Sequence, residues 1–191
     1  MRRRVIQLVF NGFLIGSLCL GFSYGQQRYI DRNGVVVFEA SEKLFEPIKA
    51  KNESVTAVFD ASNNALACLV LIRGFQLDNP LMQEHFNESY MESEQYPKAY
   101  FKGILLDFTL ENVGRTKQNV MVRGTLNIRG VTKEMETELL IQKVNGIMAL
   151  HGSFMVRPKD FGIKIPKLVE NKIAKTVWVT LNFKLSPADE K

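Results

Sequence analysis

The stretch from Asn119 to Val156 most constrains what this chain can fold into, because its side chains alternate between apolar and polar. Successive side chains of a strand point to opposite faces, so strict alternation predicts strands with one buried face. The apolar residues occupy even-numbered positions before Arg129-Gly130 and odd-numbered positions directly after it, which indicates a break between two strands. Asn145-Gly146 is a dipeptide typical of tight hairpins. The stretch therefore predicts three antiparallel strands whose shared apolar face must close over a core.

The rest of the chain adds further strands and one short helix. Short strands are predicted at Arg28–Arg32, after which Asn33-Gly34 turns the chain, and at Val35–Ala40, Ser54–Asp60, Ala99–Phe108 and Thr176–Leu185. The segment between Ser41 and Asn52 is predicted to be loose. Asn79 is a good N-cap with Pro80 after it, so a helix is expected there. About eight strands and one short helix predict an all-β fold, either a closed antiparallel barrel or a sandwich.

The first 25 residues read as a cleavable signal peptide. Three arginines precede an uncharged apolar run from Val5 to Tyr24, and small residues stand before Gln26. The expected organisation is a signal peptide at residues 1–25 and a single domain at residues 26–191, located in the periplasm or secreted. Lipidation at Cys19 is not expected because Leu18, a large residue, precedes it.

Charge and candidate site residues argue against several function classes. The chain has 25 basic and 20 acidic residues, and removing Arg2, Arg3 and Arg4 with the signal leaves a net charge of only +2. Binding of nucleic acid is therefore not expected, since phosphate contacts need a concentrated basic face. His85 and His151 lie on different elements without ligands at metal spacing. We expect no enzyme activity, no catalytic residue and no metal.

Three blocks of the sequence resemble the YceI-like family. They are Tyr96–Phe101, Val122–Lys133 and Lys159–Ile163, and the Met82–Phe86 stretch resembles the family's short helical insertion. The resemblance covers about residues 35 to 185. It implies a closed, lipocalin-like β-barrel of a secreted bacterial protein, whose interior binds polyisoprenoid or other long apolar chains.

The predicted binding residues are the apolar side chains that alternate onto the inward faces of the predicted strands. They are Phe101, Val122, Leu126, Met135, Leu139, Phe154, Val179 and Phe183. Eight strands enclose room for packed side chains or for one slender ligand. No cofactor is expected besides a bound isoprenoid or other long-chain lipid, and after signal cleavage the protein is not expected to span a membrane. A homodimer is left open.

Two other functions compete with the carrier of an apolar lipid-like ligand. One is a structural or interaction module of the cell envelope, whose barrel is filled and binds no ligand. The other is an outer-membrane barrel, in which the apolar faces would point outward and Glu134, Glu136 and Glu138 would crowd the lumen.

Overall fold

The computed structural model describes residues 27–41, 48–167 and 173–188, which form nine strands and one α-helix. The strands are β1 (Arg28–Ser41), β2 (Lys49–Asp60), β3 (Ala65–Leu71), β4 (Gln76–Leu77), β5 (Lys98–Leu105), β6 (Gln118–Ile128), β7 (Val131–Val144), β8 (Ile147–Val156) and β9 (Ile173–Pro187). Helix α1 (Pro80–His85) continues directly into a π turn at Phe86–Tyr90. Within the described ranges, no helix is both long and apolar enough to cross a bilayer.

Eight of the strands close into an antiparallel barrel. Their order around the barrel is β1-β9-β8-β7-β6-β5-β3-β2, and β2 pairs with β1 to complete the ring. The short strand β4 adds to β2 beside β3. Closure removes the free sheet edges along most of the ring, and it encloses the apolar faces. The expected fold, a closed antiparallel barrel of eight strands with one short helix, is confirmed.

The strands predicted from alternation are present with their predicted inward faces. Arg129-Gly130 joins β6 to β7, and Asn145-Gly146 joins β7 to β8, with positive φ at all four residues. Two successive residues with positive φ match the twist of a tight hairpin, which explains the choice of glycine second. On β7 the acidic side chains lie exposed on the outer face; they are Glu134, Glu136 and Glu138. The barrel is therefore apolar inside and polar outside.

The first two strands differ from the prediction. Strand β1 is continuous through Asn33-Gly34, which forms an irregularity in its register with β2 instead of a turn. A Cβ atom at Gly34 would lie 2.5 Å from the Phe183 ring, so glycine gives that inward ring its space.

Strand β2 begins at Lys49, well before the predicted Ser54. The prediction missed this part because its buried residues are Ala50 and Asn52, neither of which is typical of strands. Asn52 is satisfied in the interior: its side-chain nitrogen donates to the Leu71 carbonyl at 2.9 Å, and its oxygen accepts from the Ser54 backbone nitrogen at 2.9 Å.

The two ends of the barrel differ in packing. The closed end carries the connections at residues 61–64, 106–117 and 145–146, and it is filled by buried side chains. These include Tyr29, Phe59, Phe108, Ile141, Met148 and Leu185. The open end carries the two hairpin-turn residues between β6 and β7, helix α1 and the segment after β8. The packed core therefore occupies the closed half of the barrel, and the other half is not filled by side chains.

Candidate binding cavity

The open half of the barrel contains a cavity of about 620 Å³. Its wall is almost entirely apolar and comes from most strands of the barrel, from α1 and from the segment after β8. Small-molecule sites typically measure about 300–1,000 Å³ and are lined by apolar side chains with a few polar groups. The cavity has the size and chemistry to take a slender apolar molecule.

All eight residues predicted from the sequence lie on the wall of this cavity. Val122, Leu139 and Phe183 are almost fully buried and form its base, next to the packed core. The other five are only partly buried, because part of their surface faces the cavity; they are Phe101, Leu126, Met135, Phe154 and Val179. Their contact with a ligand stays a prediction.

Two facing glycines shape the wall between β5 and β6. Gly103 and Gly124 are partners in the register. A Cβ atom at Gly124 would lie 2.2 Å from the Lys102 carbonyl oxygen, and one at Gly103 would lie 2.5 Å from the ring of Phe101. The absence of side chains therefore lets the strands approach closely and lets the Phe101 ring lie along the wall.

Several wall residues were not among the predicted ones, because they come from elements whose position the sequence does not specify. Helix α1 and its π turn contribute Leu81, Met82, His85, Phe86 and Tyr90. The amphipathic spacing of this segment was visible in the sequence, but what its apolar face would cover was not. The first strands add Val36, Phe38, Ala40, Cys68 and Val70.

Three phenylalanines hold the helical segment on the rim of the barrel. The ring of Phe86 lies 5.3 Å from that of Phe38 on β1 and 5.8 Å from that of Phe75, and the latter two rings lie 5.2 Å apart. Rings at such distances in stacked and edge arrangements attract one another beyond their area burial. This aromatic cluster fixes one side of the cavity mouth.

The start of α1 is fixed as the sequence indicates. The Asn79 side-chain oxygen accepts from the backbone nitrogens of Leu81 and Met82 at 2.9 and 3.2 Å, and Pro80 occupies the first turn. Gln83 accepts from the Leu77 backbone nitrogen at 2.9 Å and so ties the helix to β4. A helix this short is marginal alone, so these contacts and the aromatic cluster stabilise it.

Arg129 joins three segments at the open end. Its guanidinium donates to the Gly162 carbonyl at 2.8 Å, forms an ion pair with Glu92 and lies 5.5 Å from the ring centre of Tyr96. These partners belong to the turn after β8 and to the segment between α1 and β5. Because Arg129 itself sits in the β6–β7 turn, one side chain connects the three segments around the mouth.

Cys68 is the one free thiol among the described residues, and it lines the cavity. Burial away from bulk water raises its pKa to about 12, because a thiolate is poorly stabilised among apolar groups. A thiol is nucleophilic only as thiolate, so this cysteine contributes to the wall as a small apolar residue.

The two histidines are exposed and lie on different elements of the fold. His85 sits on α1 at the mouth of the cavity, and the Nδ1 atom of His151 lies 2.7 Å from the side-chain oxygen of Asn182 on the outer face. Across the part of the chain that the structure describes, no three histidine, cysteine, aspartate or glutamate side chains gather as metal ligands do.

The fold is similar to several solved structures. A polyisoprenoid binding domain from Saccharophagus degradans, implicated in plant cell wall breakdown, superposes with a TM-score of 0.76 at 14% identity, covering 85% of this chain and 99% of that one. BcnA from Burkholderia cenocepacia gives a TM-score of 0.64 at 13% identity, covering 80% and 96%. The YCEI protein of Campylobacter jejuni gives 0.57 at 16% identity, covering 76% and 88%. At these identities the similarity shows the fold alone.

The sequence itself carries the family assignment. Among curated proteins, none matches this chain. The family profile of the YceI-like domain matches residues 29–185, which include every strand of the barrel apart from its outermost residues. By this match over most of its length, the chain belongs to the YceI-like family.

Proposed function

We propose that this protein binds a long apolar chain of isoprenoid type in the barrel cavity and carries or stores it in the cell envelope. The observation that carries the proposal is the cavity of about 620 Å³ with an apolar wall in the open half of the barrel. Among the described residues, the wall includes no lysine, arginine, aspartate or glutamate that an apolar ligand would have to desolvate. The similar domain from Saccharophagus degradans is described as polyisoprenoid binding, which supports the same class of ligand.

The eight inward residues are the proposed ligand contacts. In this proposal the chain lies against Phe101, Leu126, Met135, Phe154 and Val179, and its end meets the base formed by Val122, Leu139 and Phe183. Burying apolar surface of a ligand provides a driving force of roughly 25 cal/mol per Å² before the costs of association. No catalytic role is proposed for any of these residues.

A binding test uses geranylgeraniol as the probe. Ala99 lines the cavity, whereas Ala67 lies exposed on the outer face of β3. The cavity-filling variant Ala99→Trp should weaken binding of geranylgeraniol by at least about tenfold, or 1.4 kcal/mol, while the control Ala67→Trp should not. Circular dichroism checks that both variants fold.

The outcomes separate the carrier from the ligand-free structural or interaction module. Binding by the unmodified protein, lost only in the cavity variant, supports the carrier. No binding of the probe, together with organic extracts of purified protein that contain no lipid by mass spectrometry, would support a ligand-free structural or interaction module instead.

The proposed location rests on residues 1–25, which lie outside the described residues. If they are a signal peptide, native protein should begin at Gln26 and therefore lack Cys19. N-terminal sequencing of native material measures this directly. A retained first segment, or a fatty-acylated Cys19, would contradict the proposed route to the envelope.

A further inference from the structure

The barrel wall has a gap between β7 and β8 at the open end. In the described residues the hydrogen-bonded ladder of this pair runs from Val144–Ile147 to Leu139–Gly152 and stops there. Strand β7 nevertheless starts at Val131 and β8 ends at Val156. One side-chain hydrogen bond follows the last pair, from Thr137 to the Ser153 carbonyl at 3.2 Å. The two strands therefore diverge toward the open end.

The gap contains a space of about 410 Å³ that adjoins the main cavity. Five residues line both spaces, namely Leu126, Met135, Phe154, Val156 and Phe161. Because the same five side chains separate the two spaces, a ligand that occupied both would pass between these side chains and use the gap as a side opening.

The chemistry of the two spaces differs. The wall of the main cavity includes no lysine, arginine, aspartate or glutamate among the described residues, whereas the gap is lined by Lys133, Glu134, Arg157 and Asp160. A charged group among apolar side chains loses its hydration without compensation. The charged end of an amphiphile is therefore better accommodated in the gap, where water and charged side chains are available.

Lys133 is the cation that remains available in the gap. Arg157 is already paired with Asp160 at 2.8 Å, and no ion pair joins Lys133 to a carboxylate in the described ranges. Lys133 shares the inward parity of β7 with Met135, a wall residue, while Glu134 alternates to the outer face. A negative charge at the inner side of the gap would therefore meet Lys133 first.

We propose that the gap between β7 and β8 holds the anionic head group of a single-chain amphiphile whose chain fills the cavity, with Lys133 as its cationic contact. This rests on the proposed function, since it requires that the cavity binds an apolar chain. It assigns an orientation to the ligand: the chain end points to the closed half of the barrel, and the head lies in the side opening.

The test compares palmitate with methyl palmitate, which has a similar chain but no charge. Lys133→Met should weaken palmitate binding roughly two- to fivefold, as expected for an ion pair at an exposed site, and leave methyl palmitate binding unchanged. Lys184→Met removes an exposed lysine from the part of β9 near the closed end and serves as the matched control. Titration calorimetry at low and high salt measures the affinities.

Each outcome bears on one claim. An unchanged affinity of Lys133→Met for palmitate, or an equal loss for the ester, would overturn the head-group site. If geranylgeraniol binds but palmitate does not, the head-group inference fails and chain binding stands. If no probe binds to the unmodified protein, the proposed function itself fails.

Discussion

At the scale of single residues, position along the barrel decides whether an inward side chain packs or lines a cavity. Phe59 is fully buried at the closed end, with its ring 5.5 Å from that of Phe108 and 6.4 Å from that of Tyr29. Phe154 has the same chemistry but is only partly buried, because one side of its surroundings is the cavity. The two phenylalanines should therefore contribute differently to stability.

The stability difference is measurable by alanine substitution. Phe59→Ala should lower the free energy of unfolding by about 3–5 kcal/mol, as expected for a close-packed phenylalanine. Phe154→Ala should cost about half as much, because fewer contacts are lost and less new cavity is created. Urea denaturation gives both values. Equal losses would mean that the open half is packed as tightly as the closed half.

The thiol of Cys68 should be unreactive in the folded protein. With its pKa raised to about 12 by burial, almost no thiolate is present at pH 8. We expect negligible modification by iodoacetamide at that pH, and rapid modification once urea unfolds the chain. Mass spectrometry of timed samples measures the rates, and fast labelling of folded protein would contradict the assignment of Cys68 to the apolar wall.

The same shift predicts the direction of alkaline destabilisation. The pKa of the thiol is near 9 in the unfolded chain, where water surrounds it, and burial raises this pKa to about 12 in the folded protein. Its contribution to stability is therefore complete below pH 9 and is lost as the pH rises from 9 toward 12. Cys68→Ala should lack this component, which urea denaturation at several alkaline pH values detects.

At the scale of elements, the open end depends on contacts between segments that no single element supplies. The aromatic cluster holds the π turn against β1, and Arg129 connects the β6–β7 turn to the segments after α1 and after β8. The Nε atom of Arg129 is buried and has no hydrogen-bond partner in the described protein. The other two guanidinium nitrogens bind the Gly162 carbonyl and the Glu92 carboxylate. This side chain is therefore the main connection between the segments around the mouth.

Replacing Arg129 should loosen the mouth more than the barrel. Arg129→Met removes the ion pair with Glu92 and the bond to the Gly162 carbonyl, and we expect a loss of about 1–3 kcal/mol in the free energy of unfolding. Hydrogen exchange should rise in residues 86–96 and 158–163. The matched control Arg123→Met breaks an exposed pair with Glu136 on the outer face and should cost much less stability, because exposed ion pairs contribute little.

The exchange pattern decides the role of Arg129. Increased exchange throughout the barrel, including the closed-end strands, would indicate a general loss of stability and not a local connection. Increased exchange restricted to the segments around the mouth is the expected result.

At the scale of the whole molecule, the barrel is a packed core and a cavity joined end to end along the same strands. On β8 Leu150 is fully buried in the core while Phe154 lines the cavity, and β9 shows the same change from Leu185 to Val179. The packed half can keep the fold intact while the other half is empty or occupied. This arrangement suits a protein that takes up and releases a ligand without unfolding.

Ligand binding should therefore raise the stability of the whole protein. A ligand that binds only the folded state stabilises it by about 2.7 kcal/mol when its free concentration is a hundred times Kd. Calorimetric melts with saturating geranylgeraniol should show a higher Tm for the unmodified protein and a clearly smaller rise for Ala99→Trp, whose Kd is higher. A Tm that does not respond to the probe in either protein would contradict binding in the cavity.

The local pattern of the sequence determined much of this protein. Alternation has a period of two, which is a property of each strand by itself, so it predicted strands β6 to β9, the hairpin at Asn145-Gly146 and the inward side of all eight proposed contacts. The Asn79-Pro80 start of α1 is equally local. The resemblance of three sequence blocks to the YceI-like family added the prediction that the strands close into a barrel.

The tertiary structure alone decided what the inward faces enclose. Whether Leu139 and Phe154 meet other side chains or empty space depends on strands far apart in the sequence, and on the volume that their side chains leave unfilled. The glycine at position 34 of β1 likewise leaves space for the Phe183 ring of β9. The gap between β7 and β8 lies where their hydrogen-bonded pairing ends, at Leu139–Gly152, although both strands continue beyond that pair. These features are relations between distant segments, and an alternating pattern carries information only about its own strand.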